Sequence, residues 1–214
     1  QDRSSAASDV YKRQLLLMLQ IPFNNYFYYH FAPDNKDELI EYCLNAETTN
    51  ESFDWGDACR SEKEMLVFDG WSEILQPSIE RFLGELTSTP LKAYIDEIWR
   101  NKYTRGSFQE IHHHHGADIS FTIFCDDFNE TSSEFYFYNE SSRYMDFRFR
   151  QIMEETGNLF MDDSWTPEPM KGDIIFFPSY FLHGVSVHQN DSVRTTVSGL
   201  SLIHISEPTR PLDI

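Results

Sequence analysis

The chain has 214 residues, a length that fits one domain with a sizeable core and leaves little room for a second. Its 17 Lys and Arg residues against 35 Asp and Glu residues give a formal net charge of −18, which would repel a phosphate backbone and disfavours a nucleic-acid partner. Three widely spaced cysteines without a CxxC pair indicate neither a disulfide framework nor a zinc ribbon, and no apolar stretch approaches the roughly 20 residues of a membrane span, so we expect a soluble, cytoplasmic protein.

The two ends of the chain do not resemble parts of a fold. They contain SSAASDVYKRQ and LSLIHISEPTR, which resemble in-frame translations of the adapter oligonucleotides used in sequencing libraries. Such segments are set aside in fold reasoning. We therefore predict that residues 1–14 and 200–214 are not native, and that residues 15–199 form a single domain. Its helical support is predicted over about residues 15–92 and its main β core over about residues 93–199.

Two helices are predicted ahead of the strands. The segment KDELIEYCLNAE, after Asn35, has apolar residues at the spacing of one helical face: Leu39, Ile40, Cys43 and Leu44. A second helix is predicted between Ser72 and Leu86, with Ile79, Phe82, Leu83 and Leu86 facing inward. Pro77 either kinks this helix or marks its true start. We expect both helices to support a sheet.

From about Tyr103 onward, the sequence predicts short strands separated by turns. Segments rich in β-branched and aromatic residues recur: TRGSFQEIHHHH, DISFTIFC, EFYFYN, GDIIFFPS, HGVSVH and SVRTTVSG. The continuous apolar run Ile174–Phe177 indicates a strand buried on both faces. Residues 141–157 are predicted to be an insertion that contains a helix. Helices followed by strands predict a mainly β fold of the α+β class, a sandwich or jelly roll with supporting helices.

Four consecutive histidines, His112–His115, are the most unusual feature of the domain. In a strand, His112 and His114 share one face and the other two histidines share the opposite face. Imidazole suits iron, zinc, copper or nickel, so the run predicts a metal without selecting it. A histidine-rich surface loop is the alternative. We predict that a third ligand comes from His183, which opens a strand after an apolar run, with His188 as the competing candidate.

A turn at residues 190–191 would pair the strand of His183 with the strand of Arg194. In that hairpin, the facing pairs are Arg194 with Val187, Thr196 with Val185 and Ser198 with His183, all on one inward face. His188 would point the other way. Arg194 would lie four strand residues beyond His183, or roughly 13 Å. That gap suits a small dicarboxylate that reaches the metal at one end and the guanidinium at the other.

Three segments, in their order and spacing, carry a family resemblance. They are Tyr103-x-x-Gly106-x-x-Gln109-x-x-His112-x-His114, GDIIFFPSYFLHGV and Arg194-x-Thr196-x-Ser198. Together they resemble the iron(II)/2-oxoglutarate-dependent oxygenase superfamily, most closely its prolyl-hydroxylase-like and phage-type members, over about residues 94–199. The resemblance implies a double-stranded β-helix that uses Fe(II), 2-oxoglutarate as cosubstrate and O2. It implies hydroxylation of a C–H bond in a small-molecule or peptide substrate, with release of succinate and CO2.

Carried over by position, the resemblance makes His112 and His183 metal ligands. It makes Arg194 the partner of the 2-oxoglutarate tail carboxylate, with Thr196 and Tyr103 beside it, and it implies no catalytic side chain beyond the metal ligands.

His114 departs from the pattern, because most of the superfamily has a carboxylate at this position. We expect His114 to be the second ligand, with Asp118 and Glu110 as alternative oxygen ligands. A face of three histidines adds no negative charge, so we expect the iron to be more electrophilic. Two other functions remain open: a cupin-like three-histidine dioxygenase without 2-oxoglutarate, in which Arg194 has no cofactor role, and a non-catalytic metal-binding jelly roll.

Overall fold

The computed structural model describes residues 27–49, 60–127, 132–140, 151–152, 155 and 163–205. The first 14 residues, which we predicted to be adapter-derived, lie outside this part of the chain. Of the insertion predicted at residues 141–157, the described residues are Gln151, Ile152 and Glu155, and all three are helical.

Two helices have their bounds within the described residues, and both were predicted. Helix α1 spans Lys36–Asn45 and buries Leu39, Ile40 and Cys43. Helix α2 spans Trp71–Leu86 and contains Pro77 in its interior, so the proline does not mark its start. Two inward-facing assignments were wrong, because Leu44 and Leu86 lie in the last residues of their helices and are 46% and 37% exposed. Neither helix is long and apolar enough to cross a membrane.

The strands within the described residues form two antiparallel sheets, one of six strands and one of four. They are β1 (Tyr29–Phe31), β2 (Glu62–Met65), β3 (Leu91–Tyr103), β4 (Gln109–His112), β5 (Ile119–Phe124), β6 (Phe135–Tyr138), β7 (Ser164–Trp165), β8 (Ile174–Pro178), β9 (His183–Val185) and β10 (Arg194–Ile205). The larger sheet has the order β1-β8-β5-β10-β3-β2 and the smaller has the order β4-β9-β6-β7. The predicted mainly β architecture with supporting helices is therefore confirmed.

The larger sheet has a helix-facing side and a side that faces the smaller sheet. Along β8, Ile174 and Phe176 pack into the cluster that contains residues of both helices, and the Phe82 and Phe176 rings stack 4.8 Å apart. The alternate residues Ile175 and Phe177 belong to a second cluster, which includes residues of β6 and β9. This alternation confirms that the apolar run of β8 is buried on both faces.

The strand β3 was not predicted, although its first half has a readable period of two. From Leu91 to Glu97, half-buried and exposed residues alternate, and from Ile98 onward the strand is almost wholly buried. Charged residues interrupt the apolar positions, which is why no strand was assigned to this part of the predicted β core. This strand pairs with β10 along its whole length.

The hairpin predicted around residues 190–191 is wrong. Strand β9 pairs with β4 and β6, whereas β10 pairs with β3 and β5 in the other sheet. The chain between them crosses from one sheet to the other, and Val187, which was predicted to face Arg194, is 50% exposed. A turn signal in the sequence does not specify which sheet the next strand joins.

Strand β10 continues past the predicted domain end at residue 199. Residues 201–205 pair with residues 91–95 of β3, after an irregularity in register between Leu200 and Ser201. The structure thus includes residues 200–205 in the sheet, while the adapter origin of residues 200–214 stays a prediction.

Candidate active site

Three histidines meet at one end of the smaller sheet. His112 is the last residue of β4 and His183 the first of β9, and the two lie directly opposite each other in the antiparallel pairing. His114 lies two residues beyond β4, where its backbone N–H donates to the Ser179 carbonyl at 2.9 Å. The possible ligand atoms of the three side chains all lie within 4.8 Å of one another. Within the described residues, this is the only such group of three or more potential metal ligands.

Two of these rings are oriented by backbone carbonyls. Nδ1 of His112 lies 2.7 Å from the Glu110 carbonyl oxygen, and Nδ1 of His183 lies 2.8 Å from the Phe181 carbonyl oxygen. Because a carbonyl oxygen only accepts, each Nδ1 must carry the hydrogen and each Nε2 must hold the lone pair. This is the arrangement typical of metal-binding histidines, in which an outer hydrogen bond sets the ring orientation.

Burial keeps the three imidazoles neutral. It lowers the pKa of His112, lowers the pKa of His183 well below its usual value and lowers the pKa of His114 to about 3. Repulsion from the neighbouring His112 imidazole adds to this effect at His114 and His183. The neutral ring is the form that binds a metal ion, so the cluster can accept a cation without first losing protons.

The histidines line a cavity between the two sheets. Strands β3, β5, β8 and β10 form one wall, and β4, β6 and β9 form the other. Alternate residues of β10 face this cavity, namely Arg194, Thr196 and Ser198.

Arg194, the first residue of β10, is buried in the wall of the cavity. Its side chain is 4% exposed, and Nη1 donates to Oγ of Ser133 at 2.8 Å. Its guanidinium carbon lies 5.2 Å from the centre of the Tyr103 ring and 5.7 Å from that of Phe124. Burial lowers the pKa of Arg194 to about 10, so the guanidinium remains charged at neutral pH. The cavity therefore contains a cation in the wall of the larger sheet.

The structure places all six predicted site residues on this one cavity: Tyr103, His112, His114, His183, Arg194 and Thr196. Tyr103 lies opposite Arg194 in the pairing of β3 with β10. The alternative oxygen ligands Glu110 and Asp118 are exposed and do not line the cavity. Oδ2 of Asp118 instead accepts a hydrogen bond from the backbone N–H of Ile203 at 2.7 Å.

Several polar residues of the cavity were not singled out from the sequence. Asn101 lies beside Thr196 in the sheet, and its Oδ1 accepts a hydrogen bond from Nε2 of Gln109 at 3.4 Å. Thr122 lies opposite Ser198, and their hydroxyl oxygens are 3.1 Å apart. Asn101 lies two residues before Tyr103. If the segment had been recognised as a strand, this spacing would have placed Asn101 on the same face as Tyr103.

The sequence of this region matches a known family. Residues 97–199, which include every residue of the predicted site, match the family model described as "Putative 2OG-Fe(II) oxygenase". Over these residues the chain is similar to a 2OG-Fe(II) oxygenase domain, whose family uses Fe(II), 2-oxoglutarate and O2. No match was found among curated protein sequences.

Solved structures share the fold of this chain. The viral collagen prolyl hydroxylase of Paramecium Bursaria Chlorella virus-1, in complex with 2-oxoglutarate, is 12% identical, with a TM-score of 0.52 over 83% of this chain and 96% of that chain. HygX from Streptomyces hygroscopicus, with nickel and 2-oxoglutarate bound, is 11% identical, with a TM-score of 0.53 over 81% and 82%. The α-ketoglutarate-dependent epimerase SnoN of nogalamycin biosynthesis is 16% identical, with a TM-score of 0.56 over 87% and 82%.

At these identities the likeness establishes the fold. The neighbours are 2-oxoglutarate oxygenases with a double-stranded β-helix, and the predicted fold class is confirmed.

Proposed function

We propose that this oxygenase hydroxylates a C–H bond of its substrate while 2-oxoglutarate is converted to succinate and CO2. One observation carries the proposal: three neutral imidazoles and one buried guanidinium line the same cavity between the two sheets. The first set of groups suits a metal ion, and the second suits the carboxylate of an organic acid.

We propose His112, His114 and His183 as the ligands of Fe(II). Imidazole nitrogen is among the ligands that iron accepts readily. Two of the three rings are already oriented by backbone carbonyls, so little side-chain freedom would be lost on binding. A face of three ligands leaves coordination positions for a cosubstrate and oxygen. The donor set therefore fits the metal that the family uses.

Arg194 is proposed to bind the tail carboxylate of 2-oxoglutarate. A planar guanidinium can donate two parallel hydrogen bonds to a carboxylate, and such a pair is stronger in a buried cavity than in water. The hydroxyls of Thr196 and Tyr103 belong to residues that flank Arg194 on the cavity wall. Both can donate to a carboxylate oxygen.

When bound, iron and 2-oxoglutarate supply the activation of oxygen and the oxidising power for the C–H bond. The protein binds and orients these groups and shields them from water. Phe135, Phe177 and Val185 form apolar parts of the cavity wall. No side chain is assigned as a general base, because none is needed for the proposed oxidation.

A three-histidine dioxygenase that works without 2-oxoglutarate is the second candidate. It is favoured by the composition of the cluster, since no carboxylate joins the histidines within the described residues. The match to an oxygenase family does not favour the third possibility, a non-catalytic metal-binding protein.

The test is an anaerobic titration of the Fe(II)-loaded full chain with 2-oxoglutarate, followed by a succinate assay in air. We expect saturable binding with a visible charge-transfer band, and slow succinate formation without added substrate. In Arg194→Ala we expect the Kd for 2-oxoglutarate to rise about 30-fold or more, because one partner of a buried charge pair is removed. Unchanged 2-oxoglutarate binding in Arg194→Ala would sink the cofactor assignment. Iron-dependent oxygen consumption without 2-oxoglutarate would support the second candidate.

The substrate is proposed to be a small molecule or a peptide. The strongly negative net charge of −18 argues against a nucleic acid. One structural neighbour is a collagen prolyl hydroxylase, which makes peptidyl proline the first substrate to assay. The cytoplasmic location stays a prediction.

A further inference from the structure

His188 is buried in the connection between β9 and β10, and both of its ring nitrogens are engaged. Its side chain is 1% exposed. The backbone N–H of Ser133 donates to Nδ1 at 3.1 Å, and Nε2 lies 2.7 Å from the Ser192 carbonyl oxygen. The residue is therefore unavailable as a metal ligand, and its burial calls for a different role.

These two partners specify one protonation state of the ring. A backbone N–H can only donate, so Nδ1 must be the acceptor, and a carbonyl oxygen can only accept, so Nε2 must carry the hydrogen. His188 is thus a neutral imidazole with its hydrogen on Nε2. His112 and His183 have the opposite tautomer, with the hydrogen on Nδ1.

Ser133 connects this ring to Arg194. It is fully buried, its N–H donates to His188, and its Oγ accepts from Nη1 of Arg194 at 2.8 Å. The second partner of His188, Ser192, stands two residues before Arg194 in the chain. The imidazole therefore contacts both the segment before β6, which carries Ser133, and the segment before β10, which carries Ser192. These two backbone segments determine where the guanidinium lies.

We propose that His188 and Ser133 position the Arg194 guanidinium for its carboxylate ligand. The proposal rests on the proposed function of Arg194 in binding 2-oxoglutarate. A bidentate guanidinium–carboxylate pair requires the plane of the guanidinium to be aligned with the carboxylate, and an oxygen held at Nη1 restricts rotation of that plane. His188 acts through Ser133 and touches neither cosubstrate nor metal.

The test measures the Kd for 2-oxoglutarate of the Fe(II)-loaded full chain without oxygen. We expect Ser133→Ala to raise this Kd about tenfold, because a hydrogen bond to a charged group is lost. We expect His188→Leu to raise it by a similar factor and His188→Asn to restore most of the affinity, since an amide oxygen near the position of Nδ1 still accepts from Ser133. In succinate formation, KM for 2-oxoglutarate should rise while kcat at saturation stays close to wild type.

Ser132→Ala is the matched control. Ser132 is the neighbouring buried serine, and its Oγ accepts from Nδ2 of Asn190 at 3.4 Å. We expect its Kd for 2-oxoglutarate to match that of wild type. Fe(II) affinity should be unchanged in all of these variants, since none alters the three-histidine cluster. If His188→Leu fails to fold, Ser133→Ala and the tautomer of the His188 ring decide the question.

A double-mutant cycle separates this inference from the proposed function. In the Arg194→Ala background, Ser133→Ala should not weaken 2-oxoglutarate binding further. A clear loss in Arg194→Ala with no loss in Ser133→Ala would overturn the positioning role alone. The positioning role would also be overturned if Ser133→Ala raised the Kd for 2-oxoglutarate by the same factor in the Arg194→Ala background as in the wild-type chain. No loss in Arg194→Ala would overturn both.

Nitrogen NMR of the His188 ring in the metal-free chain gives a readout independent of activity. The hydrogen should be on Nε2, and a hydrogen on Nδ1, or on both nitrogens at neutral pH, would overturn the proposal.

Discussion

At the scale of single residues, His114 shows how a side chain can join a strand-built site from outside the strand. Strand β4 ends at His112, yet the backbone N–H of His114 is held by the Ser179 carbonyl after β8. That bond extends the geometry of the strand by two residues, so His114 points to the same side as His112. His113 and His115 are exposed, with ring centres 4.2 Å apart. The predicted alternation of the run is confirmed.

His114→Ala should weaken Fe(II) binding by at least about tenfold, because one of three proposed metal ligands is removed; changes in the outer hydrogen bonds of such ligands alone typically cost that much. His113→Ala is the matched control, and its Fe(II) affinity should equal that of wild type. Anaerobic equilibrium binding of Fe(II) to each variant makes the comparison. Equal losses in the two variants would argue against His114 as a ligand.

At the scale of elements, Arg100 connects three pieces of secondary structure. From β3, its Nε donates to Oε2 of Glu64 in β2 at 2.6 Å. Its Nη1 donates to carbonyl oxygens at the end of α1, those of Cys43 at 3.0 Å and Leu44 at 3.1 Å. A cation at the carbonyl end of a helix is stabilised by the helix dipole. The arginine thus fixes α1 and β2 against the strand that carries Tyr103.

Glu64→Gln should reduce stability in a pH-dependent way. Burial raises the pKa of the Glu64 carboxyl, but hydrogen bonds from Lys102 and Arg100 outweigh burial and leave that pKa below its usual value. Such a carboxylate stabilises the fold above its unfolded pKa of about 4.3, and the contribution is lost as pH falls through the folded pKa. We expect Glu64→Gln to cost about 1–3 kcal/mol at neutral pH.

This cost should shrink as the pH falls below about 4, where the wild-type carboxylate also loses its charge. Denaturant unfolding at neutral pH and at about pH 3 measures the difference. Glu62→Gln, an exposed change in the same strand, should have little effect at either pH. A difference between wild type and Glu64→Gln that grows toward acid pH would contradict this account.

Two glycines provide a paired test of packing within the elements. A Cβ on Gly199 of β10 would collide with Cζ of Phe121 and would lie 2.7 Å from the Glu97 carbonyl oxygen. A Cβ on Gly84 of α2 would meet nothing within 4 Å. Gly199→Ala should destabilise the protein by about 1–3 kcal/mol through overpacking. Gly84→Ala should stabilise it by about 0.5–1 kcal/mol through helix propensity. Chemical denaturation of both variants measures the two signs.

At the scale of the whole molecule, the site depends on two sheets that meet around one cavity. The histidines lie on the four-stranded sheet, except for His114 just beyond it, and Arg194 lies on the six-stranded sheet. A ligand that contacts both the metal and Arg194 would therefore bridge the two sheets. Binding of such a ligand should therefore stabilise both sheets together against unfolding.

Fe(II) and 2-oxoglutarate together should raise the melting temperature in the absence of oxygen. At a 2-oxoglutarate concentration 100 times its Kd, binding adds about 2.7 kcal/mol, which corresponds to about 5–10 °C for a protein of this size. Arg194→Ala should retain the shift caused by Fe(II) and lose most of the further shift caused by 2-oxoglutarate. A full 2-oxoglutarate shift in Arg194→Ala would place the carboxylate elsewhere. Differential scanning fluorimetry under anaerobic conditions is sufficient.

Much of the candidate site was accessible from the sequence because its signals are local. Each signal is contained within a few residues: the spacing of His112 and His114, the apolar strand before His183, and the alternation of Arg194 with Thr196. Strand periodicity predicts which residues of one strand share a face, whereas the packing of the two sheets brings those faces together around one cavity. Asn101 was missed because the charged residues Arg100 and Lys102 flank it, and such a segment does not indicate a buried strand.

What the sequence alone determined is the set of elements whose pattern is self-contained: helices α1 and α2, the buried strand β8, and the histidines and arginine of the motifs. Only the tertiary structure decided that β9 and β10 belong to different sheets, that Asn101 lies beside Thr196 and that His188 is taken up by Ser133 and Ser192. The reason is physical. Periodicity reflects burial within one segment, whereas the choice of a strand's partner depends on the packing of distant segments against both faces of the sheet.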